Sequence, residues 1–304
     1  MKLALIALSP QGAQLAARVA RALGGADAFV HVTGNRGGEA APERRAGRRP
    51  AVRTFSSILE LTEKIFPEYR GLVYFAPCGV AVRALAPCVK HKLSDPAVVV
   101  VDVGGRYAIS LLSGHEGGAN ALALRVANVL SAEPVVTTTT EALKTLIVGV
   151  GCRRGVRATH IVKALRSALK MAGAELANVR LLASADIKAD EEGLLRAASM
   201  LGLPLRFISS EELRSTTKVF RRSKFVQEKV ALPAVAEPAA LLAGRRTQLI
   251  LPKTIFKGIT IAIARENCLW SASAPAENST APIAPRRRSP KARSSAVTQS
   301  TLNR

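Results

Sequence analysis

The sequence predicts an α/β protein of two domains, each a mostly parallel sheet flanked by helices, with a disordered C-terminal tail. Continuous apolar runs such as AVVVVDV at 97–103 are typical of strands buried on both faces, and they alternate with segments of helical apolar period. A glycine-rich turn joins a strand to a helix in each half. The 304 residues suffice for two cores, and because aromatic residues make up only 4%, those cores consist mainly of Ala, Val and Leu.

The first predicted domain, residues 1–143, alternates strands with helices. Apolar runs predict strands over 3–8, 28–32, 71–76, 97–103, 107–112 and 135–136. Helical periods predict helices over 11–23, 56–66, 78–85 and 119–130. Ser56 or Ser57 is the expected N-cap of the second helix. Residues 34–53 hold six arginines and no apolar period, which predicts a polar loop.

The second predicted domain, residues 144–268, repeats this alternation. Strands are predicted over 146–150, 179–183, 204–208, 248–251 and 258–264. Helices are predicted over 160–172, 218–230 and 235–243, with further helix starts near 190 and 209. Asp190 is a candidate N-cap. Residues 269–304 are rich in Ser, Ala, Pro and Arg and have no apolar period, which predicts a disordered basic tail.

The chain is strongly basic, with a net charge of +22 from 44 Lys and Arg against 22 Asp and Glu. Without residues 34–53 and 285–304 it still has 32 basic and 20 acidic residues, a net charge of +12. The folded part therefore favours a polyanionic partner, namely a polycarboxylate, a phosphate ligand or nucleic acid. Nucleic acid is the weakest of these, because few aromatic residues can stack on bases and no nucleic-acid motif is present.

Cysteine spacing and hydropathy predict a cytoplasmic protein. Cys78, Cys88, Cys152 and Cys268 have neither CxxC nor Cys/His metal spacing, so we expect reduced, mostly buried thiols and no bound metal. Residues 3–8 are too short for the apolar region of a signal peptide. No apolar run reaches the ~18–20 residues that a membrane span needs, so we expect no membrane contact.

The most distinctive stretch is SLLSGHEGGAN at 110–120, where a strand breaks into a glycine-rich turn that opens a helix. Gly114, Gly117 and Gly118 remove Cβ atoms where the backbone bends or approaches another group. Such a turn offers free N–H donors at a helix N-terminus and so predicts an anion or oxyanion site that includes His115. The alternative is that the glycines serve packing alone and that His115 caps the helix.

A second turn of this kind follows the strand at 146–150. Gly151 and Gly155 bracket Cys152, Arg153 and Arg154. The two guanidinium groups are suited to bidentate contacts with carboxylates. Cys152 is expected to be a buried thiol rather than a nucleophile. In open α/β sheets ligands bind at the carboxyl ends of strands, so both turns are candidate parts of one site.

Several segments, taken together, resemble the CbiG family of cobalt-precorrin-5A hydrolases. They include LVYFAPCGVAVRALAP at 72–87, HKLSDPAVVVVDVGGRYAISLLSGHEGGANALA at 91–123, VGVGCRRGV at 148–156 and ASADIKADEEGLL at 183–195. The resemblance extends over roughly residues 1–265 in matching order. The family usually has a linker region between its halves after a TTATD-like motif. Here residues 137–140 are TTTT and the second half follows at once, so that region is missing.

The resemblance implies that water opens the ring-A δ-lactone of a cobalt corrinoid and that acetaldehyde leaves. His115 is then the candidate water-activating base, because an imidazole titrates near neutral pH. Asn120 either hydrogen-bonds a substrate carbonyl or braces the turn. Asp102, near the end of a buried strand, either orients His115 or binds Arg106. The cobalt belongs to the substrate, so no cofactor is expected.

The substrate implied by the resemblance carries many carboxylates, which basic side chains and glycine amides would bind. The candidate substrate-binding residues are Arg83, Lys92, Gly114, Gly117, Gly118, Gly151, Arg153, Arg154, Lys188 and Glu237. Several have a structural alternative. Arg83 and Lys92 can be surface charges, Lys188 can form local ion pairs, and Glu237 can start a helix. Asp95, before Pro96, is expected to be a turn residue, with contact to the substrate as the alternative.

We expect the two glycine turns to face each other across a basic groove that holds the corrinoid. Contacts with other cobalamin-pathway enzymes and a homodimer are possible further assemblies. Two other functions stay open. The chain can be a corrinoid-binding or carrier protein that lost hydrolysis with the missing region, or it can bind nucleic acid through its Arg-rich loop and tail.

Overall fold

The computed structural model describes residues 2–32 and 52–267, which form two sheets with flanking helices. The first half contributes seven strands: β1 (Leu3–Ala7), β2 (Ala26–His31), β3 (Val52–Phe55), β4 (Gly71–Phe75), β5 (Ala97–Val101), β6 (Tyr107–Leu112) and β7 (Glu133–Val135). They are ordered β3-β2-β1-β4-β5-β6-β7. Every neighbouring pair is parallel except β5 and β6, which are antiparallel.

Five helices belong to this half: α1 (Pro10–Leu23), α2 (Ile58–Ile65), α3 (Cys78–Leu85), α4 (Ala119–Leu130) and the short α5 (Thr139–Ala142). Alternate residues of the strands point to opposite faces of the sheet. Leu3, Leu5 and Ala7 of β1 therefore pack with α1 and α4, whereas Ala4 and Ile6 pack with α2 and α3. Helices thus cover both faces, which explains the continuous apolar runs of the central strands.

The reversed strand β6 decides where the first glycine turn lies. Val98, near the start of β5, pairs with Leu112 at the end of β6. The turn after Leu112 therefore lies at the edge of the sheet where β1, β4 and β5 begin. The expectation that this turn joins a ligand site at the carboxyl ends of the parallel strands is wrong, because those ends lie at the opposite edge.

The second half forms a mixed five-stranded sheet. Its strands are β8 (Leu146–Cys152), β9 (Val179–Ala185), β10 (Leu205–Ile208), β11 (Thr247–Phe256) and β12 (Ile259–Glu266), ordered β10-β9-β8-β12-β11. Its helices are α6 (Ala158–Met171), α7 (Glu192–Leu201), α8 (Ser210–Ser215), α9 (Lys224–Val230) and α10 (Ala236–Leu242). The first three strands in this order are parallel, and β12 is antiparallel to both of its neighbours. Helices α6 and α7 pack on one face and α10 on the other.

The α/β class with two sheets is confirmed. The structure also decides three local predictions, namely the N-caps of α2 and α7 and the end of the predicted polar loop. Ser57 N-caps α2, since its Oγ accepts from Glu60 N at 3.4 Å. The N-cap of α7 is Glu191, not the expected Asp190. Strand β3 includes Arg53, which was assigned to the predicted loop. The rest of that loop and the predicted tail lie outside the described residues.

The two halves meet at the open edge of the second sheet. Asn128 of α4 donates from Nδ2 to the carbonyl of Leu205 at 2.8 Å, and its Oδ1 accepts from Phe207 N at 2.9 Å. The side-chain amide thus satisfies the unpaired backbone of edge strand β10. Arg245 Nε adds a contact of 3.2 Å to Glu133 Oε1. Within the described ranges no helix is long and apolar enough to span a bilayer.

Candidate active site

The first glycine turn, residues 113–118, links β6 to α4. The first two amides of the helix, those of Ala119 and Asn120, donate to the carbonyls of Ser113 and Gly114 at 3.1 and 2.9 Å. These amides are therefore not available to a ligand, contrary to the simple helix N-terminus expected from sequence. The amides of residues 115, 117 and 118 have no protein acceptor in the described part of the chain. They are the donors that remain for an anion.

Asn120 braces the turn from inside. Its Oδ1 accepts from Ser110 Oγ at 2.8 Å, and its Nδ2 donates to Thr138 Oγ1 at 2.9 Å. A Cβ at Gly114 would lie 2.9 Å from Asn120 Oδ1 and 2.7 Å from Thr138 Cγ2, so only glycine fits there. These contacts match the bracing alternative for Asn120.

A cleft of about 890 Å³ opens beside this turn. The residues around 66–70 and 87–96 form most of its walls, and Glu116 and Gly117 of the turn complete them. These segments precede β4 and β5, so the cleft lies at the edge where the parallel strands begin. Its volume lies within the range of small-molecule sites.

The mouth of the cleft carries both signs of charge. Arg70 and Lys90 line it with exposed side chains. Lys92 Nζ lies 3.1 Å from Glu116 Oε1 in a largely exposed ion pair. A hydrogen bond from its own backbone amide, followed by the bond from Lys92, holds the pKa of Glu116 below its usual range. Glu116 is therefore ionised at neutral pH, and Arg70 and Lys90 are the cations left for ligand carboxylates.

Two buried polar residues stiffen the cleft walls. Asp95 Oδ2 accepts from Lys90 N at 2.9 Å, and Asp95 N donates to the His91 carbonyl at 2.9 Å, which confirms Asp95 as a turn residue. Tyr69 Oη donates to Asp27 Oδ2 at 2.5 Å. Burial and this hydrogen bond raise the pKa of Tyr69 to about 12. Tyr69 is therefore a neutral structural group.

His115 lies exposed on the turn, next to Glu116, and makes no hydrogen bond to any residue that the structure describes. Its imidazole is thus open to solvent, and the two residues that follow it, Glu116 and Gly117, line the cleft. The position fits a water-activating base and does not fit a helix cap, since α4 begins after Gly118 and has no side-chain cap.

The predicted role of Asp102 in orienting His115 is wrong. Asp102 Oδ1 accepts from the backbone amides of Arg106 and Tyr107 at 2.7 and 2.8 Å, and Oδ2 accepts from Arg106 Nε at 3.1 Å. The carboxylate thus shapes the tight connection between β5 and β6, at the opposite end of β6 from His115. Of the two roles predicted for it, binding Arg106 is the one that the structure contains.

Arg83 does not belong to the cleft. It lies on α3, and its Nη1 donates to the Gly79 carbonyl one turn earlier at 3.3 Å. Helix α3 points this side chain to solvent and away from the cleft walls. Lys92 reaches the mouth only through its pair with Glu116.

The second glycine turn, residues 151–155, is built around Glu191. This carboxylate is 7% exposed; its Oε1 accepts from Gly155 N at 2.8 Å, and its Oε2 lies 3.7 Å from Lys188 Nζ. Gly155 has φ +74°, which favours glycine. Burial raises the pKa of Cys152, Lys188 lowers it and Glu191 raises it. Cys152 is therefore a protonated thiol, and Lys188 is held in a local ion pair.

The arginines of the second turn point in different directions. Arg153 N donates to the Gly258 carbonyl at 3.2 Å, and its side chain packs along Gly258. Arg154 lies 3.9 Å from Asp190, and both side chains are more than 70% exposed. Gly151 meets neighbours only at ordinary contact distances. Among the described residues these side chains form no shared carboxylate clamp.

Glu237 is a structural carboxylate, which corrects its assignment to the substrate. It lies in the first turn of α10 and is 1% exposed. Its two oxygens accept from Arg221 N at 2.6 Å and from Lys253 N at 2.7 Å. It therefore joins the helix to the segment before α9 and to β11, and its burial keeps it from solvent.

The expected shared groove between the two turns is not formed by the described residues. The cleft beside the first turn is lined by the first half alone. The halves meet through Asn128 and Glu133, which lie beyond the turn on α4 and β7, whereas the second turn follows the far end of β8. No hydrogen bond or ion pair within residues 2–32 and 52–267 joins the two turns.

Two residues that line the cleft, Arg70 and Lys90, are not among the residues predicted from sequence, and neither is Ser113, which packs behind Gly117. Arg70 and Lys90 precede strands. The prediction of a ligand site at the carboxyl ends of strands selects residues that follow strands and therefore does not select these two. Ser113 lies within the SGHEGGAN motif itself, so its position was a usable signal. No group of three His, Cys, Asp or Glu side chains suited to a metal occurs within the described ranges.

Comparison with known proteins matches both halves. Residues 60–141 match the family model described as cobalamin synthesis G N-terminal, and residues 146–264 match the model described as cobalamin synthesis G C-terminus. Only residues 142–145 lie between the two matches. The N-terminal match covers β4 to β7 of the first sheet, and the C-terminal match covers most of the second sheet.

Three curated proteins are similar to this chain. A cobalt-precorrin-5A hydrolase of Priestia megaterium is 25% identical over 360 residues, 86% of this chain and 94% of the relative. One of Salmonella typhimurium is 27% identical over 290 residues, 65% of this chain and 82% of the relative. Protein CobE of Sinorhizobium is 34% identical over 128 residues, 41% of this chain and 83% of CobE. The first alignment is longer than this chain, so that relative has residues which this chain lacks.

Proposed function

We propose that this chain, which belongs to the cobalamin synthesis G (CbiG) family, is a hydrolase that opens the ring-A δ-lactone of cobalt-precorrin-5A, releases acetaldehyde and gives cobalt-precorrin-5B. The family places the chain in cobalamin biosynthesis. The observation that carries the specific reaction is the cleft of about 890 Å³ beside a glycine turn that has unpartnered amides and an exposed imidazole. Cobalt is part of the substrate, so the proposed reaction requires no cofactor of the chain's own.

The unpartnered amides of residues 115, 117 and 118 are suited to the first step. Water adds to the lactone carbonyl carbon, and negative charge collects on the carbonyl oxygen. Backbone N–H donors stabilise such an oxyanion when they point at the oxygen on which the charge develops. The ring C–O bond then breaks, which leaves a carboxylate and a free hydroxyl group on the substrate.

His115 is the proposed base. It removes a proton from the attacking water and gives it to the leaving ring oxygen, which regenerates the neutral imidazole. In the second step it removes the proton of the freed hydroxyl group. The carbon–carbon bond then breaks, acetaldehyde leaves, and the electron pair stays on the macrocycle, which takes up a proton. His115 is exposed and adjoins Glu116 and Gly117, which line the cleft, and this placement supports the proposed role.

Arg70, Lys90 and Lys92 supply positive charge around the cleft. The substrate's peripheral carboxylates are the proposed partners of these side chains. Exposed cations contribute modestly to affinity and more to orientation and to the rate of encounter. The net charge of the whole chain, +22, acts in the same direction.

The test incubates the purified full chain anaerobically with cobalt-precorrin-5A and measures acetaldehyde and the mass of the corrinoid. We expect stoichiometric acetaldehyde from the wild type. His115→Ala should lower kcat about 10²- to 10⁴-fold with little change in Kd, because a general base acts in the chemical step. His160→Ala, which changes an exposed histidine of α6, is the matched control. Wild-type turnover in His115→Ala would remove His115 from this role.

One observation favours a second candidate, a corrinoid-binding protein without hydrolysis. The Priestia megaterium hydrolase has residues that this chain lacks, and only residues 142–145 separate the two family matches here. A carrier would bind the coloured substrate and release no acetaldehyde. An absorption titration run beside the aldehyde assay separates the two functions.

A further inference from the structure

Ser113 combines burial with a left-handed backbone conformation that residues other than glycine rarely adopt. Four non-glycine residues have positive φ within the described ranges: Ser113, Ser131, Ala231 and Lys257. The last three are exposed. Ser131 and Ala231 are the C-caps of α4 and α9, and Lys257 lies in the hairpin before Gly258, so each of them ends a helix or strand. Ser113 is the buried member of the four, at φ +57° between a strand and a turn. Such conformations collect at functional sites.

The hydroxyl group of Ser113 is also unpaired. Two buried side-chain atoms lack a hydrogen-bond partner in the part of the chain described, Ser113 Oγ and Arg180 Nε. The Arg180 guanidinium is otherwise held, because Nη1 lies 2.6 Å from Glu266 Oε2. Ser113 has no other polar atom on its side chain. Since burying an unpaired hydroxyl is unfavourable, alanine would serve the fold better at this position.

Ser113 packs directly against Gly117, which lines the cleft. A Cβ at Gly117 would overlap with the Cβ of Ser113 and would lie 3.3 Å from the Asp95 carbonyl. Gly117 and Asp95 both line the cleft. A residue without a side chain therefore separates Ser113 from the space where a ligand binds.

This separating segment is weakly held. The amides of residues 115 and 117 donate to no acceptor within the described ranges, and the side chain of Glu116 is held by an exposed ion pair with Lys92. The bonds that fix the turn lie on either side of the segment, from Ala119 and Asn120 to Ser113 and Gly114. A shift of residues 115–117 thus uncovers Ser113 without breaking those bonds.

We propose that Ser113 is a substrate-binding residue: when the substrate enters the cleft, residues 115–117 shift and Ser113 Oγ donates a hydrogen bond to a substrate oxygen. This inference rests on the proposed function of the same cleft. It explains why a strained position keeps a hydroxyl group that the unliganded fold leaves unpaired. The serine then belongs to the site together with the open amides of the turn.

The test compares Ser113→Ala with Ser131→Ala. Ser131 is a matched control, since it is the same residue type at φ +56° at the other end of α4 and is exposed. We expect Ser113→Ala to lower kcat/KM about 10- to 100-fold with an unchanged or higher Tm, because it removes an unpaired hydroxyl. Ser131→Ala should keep the wild-type kcat/KM.

A second variant guards against a folding artefact. Ser113→Gly adopts positive φ freely and also lacks the hydroxyl group, so it should show the same loss of kcat/KM at a Tm no lower than that of the wild type. Wild-type kcat/KM in either Ser113 variant overturns the inference. A loss of activity that only follows a fall in Tm also overturns it.

The outcomes separate this inference from the proposed function. If the wild type binds cobalt-precorrin-5A and releases no acetaldehyde, the hydrolase proposal fails, and the Kd of Ser113→Ala decides the role of Ser113. A Kd raised about tenfold supports that role, and an unchanged Kd overturns it. If the wild type neither binds nor converts the corrinoid, both proposals fail.

Discussion

Asp102 Oδ1 lies 2.8 Å from the amide nitrogen of Tyr107, the first residue of β6, whereas His115 follows the end of the same strand. Six residues of strand separate the two ends by roughly 20 Å. The carboxylate therefore contributes to the fold of the β5–β6 connection and not to the chemistry at the glycine turn.

The first prediction concerns the stability that Asp102 provides. Burial raises its pKa, but the bonds from Tyr107 and Arg106 outweigh burial and hold the pKa below its usual value. A lowered folded-state pKa gives stability that is full above about pH 4 and is lost as the pH falls through the folded value. Asp102→Asn should lower the free energy of unfolding by about 1–3 kcal/mol at pH 7 and by less at pH 3.

Urea denaturation at the two pH values measures this difference. Asp190→Asn is the control, because that carboxylate is 73% exposed and its partner Arg154 is 3.9 Å away. Turnover of Asp102→Asn should match that of the wild type. Lost turnover at unchanged stability would return Asp102 to the active site.

The second prediction concerns the buried carboxylate of Glu237. In Glu237→Gln one end of the side chain becomes an amide donor, which cannot accept from both Arg221 N and Lys253 N. We expect the free energy of unfolding to fall by about 1–3 kcal/mol while corrinoid affinity stays unchanged. Glu228→Gln, on the exposed side of α9, should change stability by less than about 0.5 kcal/mol. A weaker Kd at normal stability would make Glu237 a ligand residue after all.

The third prediction separates the cations of the cleft from other surface charges. Arg70→Ala and Lys90→Ala should each weaken corrinoid binding about fivefold, on the order of 1 kcal/mol, because each loses an exposed ion pair with a substrate carboxylate. Arg83→Ala removes an exposed arginine of the same half that lies outside the cleft, and it should keep the wild-type Kd. Absorption titrations at low and high salt measure both effects.

Added salt should weaken binding to the wild type more than binding to Arg70→Ala, since screening acts on the charge that this variant has lost. Equal losses in Arg83→Ala and Arg70→Ala would mean that general surface charge, not the cleft, attracts the substrate.

The orientation of β6 was predictable from sequence, although hydropathy alone does not give it. The run at 107–112 has the same apolar character in a parallel or an antiparallel strand. The connection from Asp102 to Arg106 is only five residues long and contains Gly104 and Gly105. A parallel crossover needs a dozen or more residues, so this short link requires a hairpin. That argument places the first glycine turn at the correct edge.

Other parts of the site depend on packing that no local pattern expresses. Glu237 precedes a proline and has the sequence context of a helix start, but its backbone partners Arg221 and Lys253 are 16 residues away on either side. The unpaired hydroxyl of Ser113 is visible only once its neighbours are placed. Strand-to-helix turns and buried strands were predictable because their periods are local.

The last prediction tests how closely the turn packs on Ser113. In Gly117→Ala the new Cβ would overlap with the Cβ of Ser113 and would lie 2.9 Å from its carbonyl oxygen, so the turn must move. We expect the free energy of unfolding to fall by about 1–3 kcal/mol, the usual cost of overpacking. Gly79→Ala on α3 meets only Arg83 Nη1, at 3.5 Å, and should raise stability by up to ~1 kcal/mol, since alanine favours helix. Thermal and urea unfolding of both variants measure these changes in stability. A Gly117→Ala protein as stable as the wild type would show that residues 115–117 do not pack on Ser113.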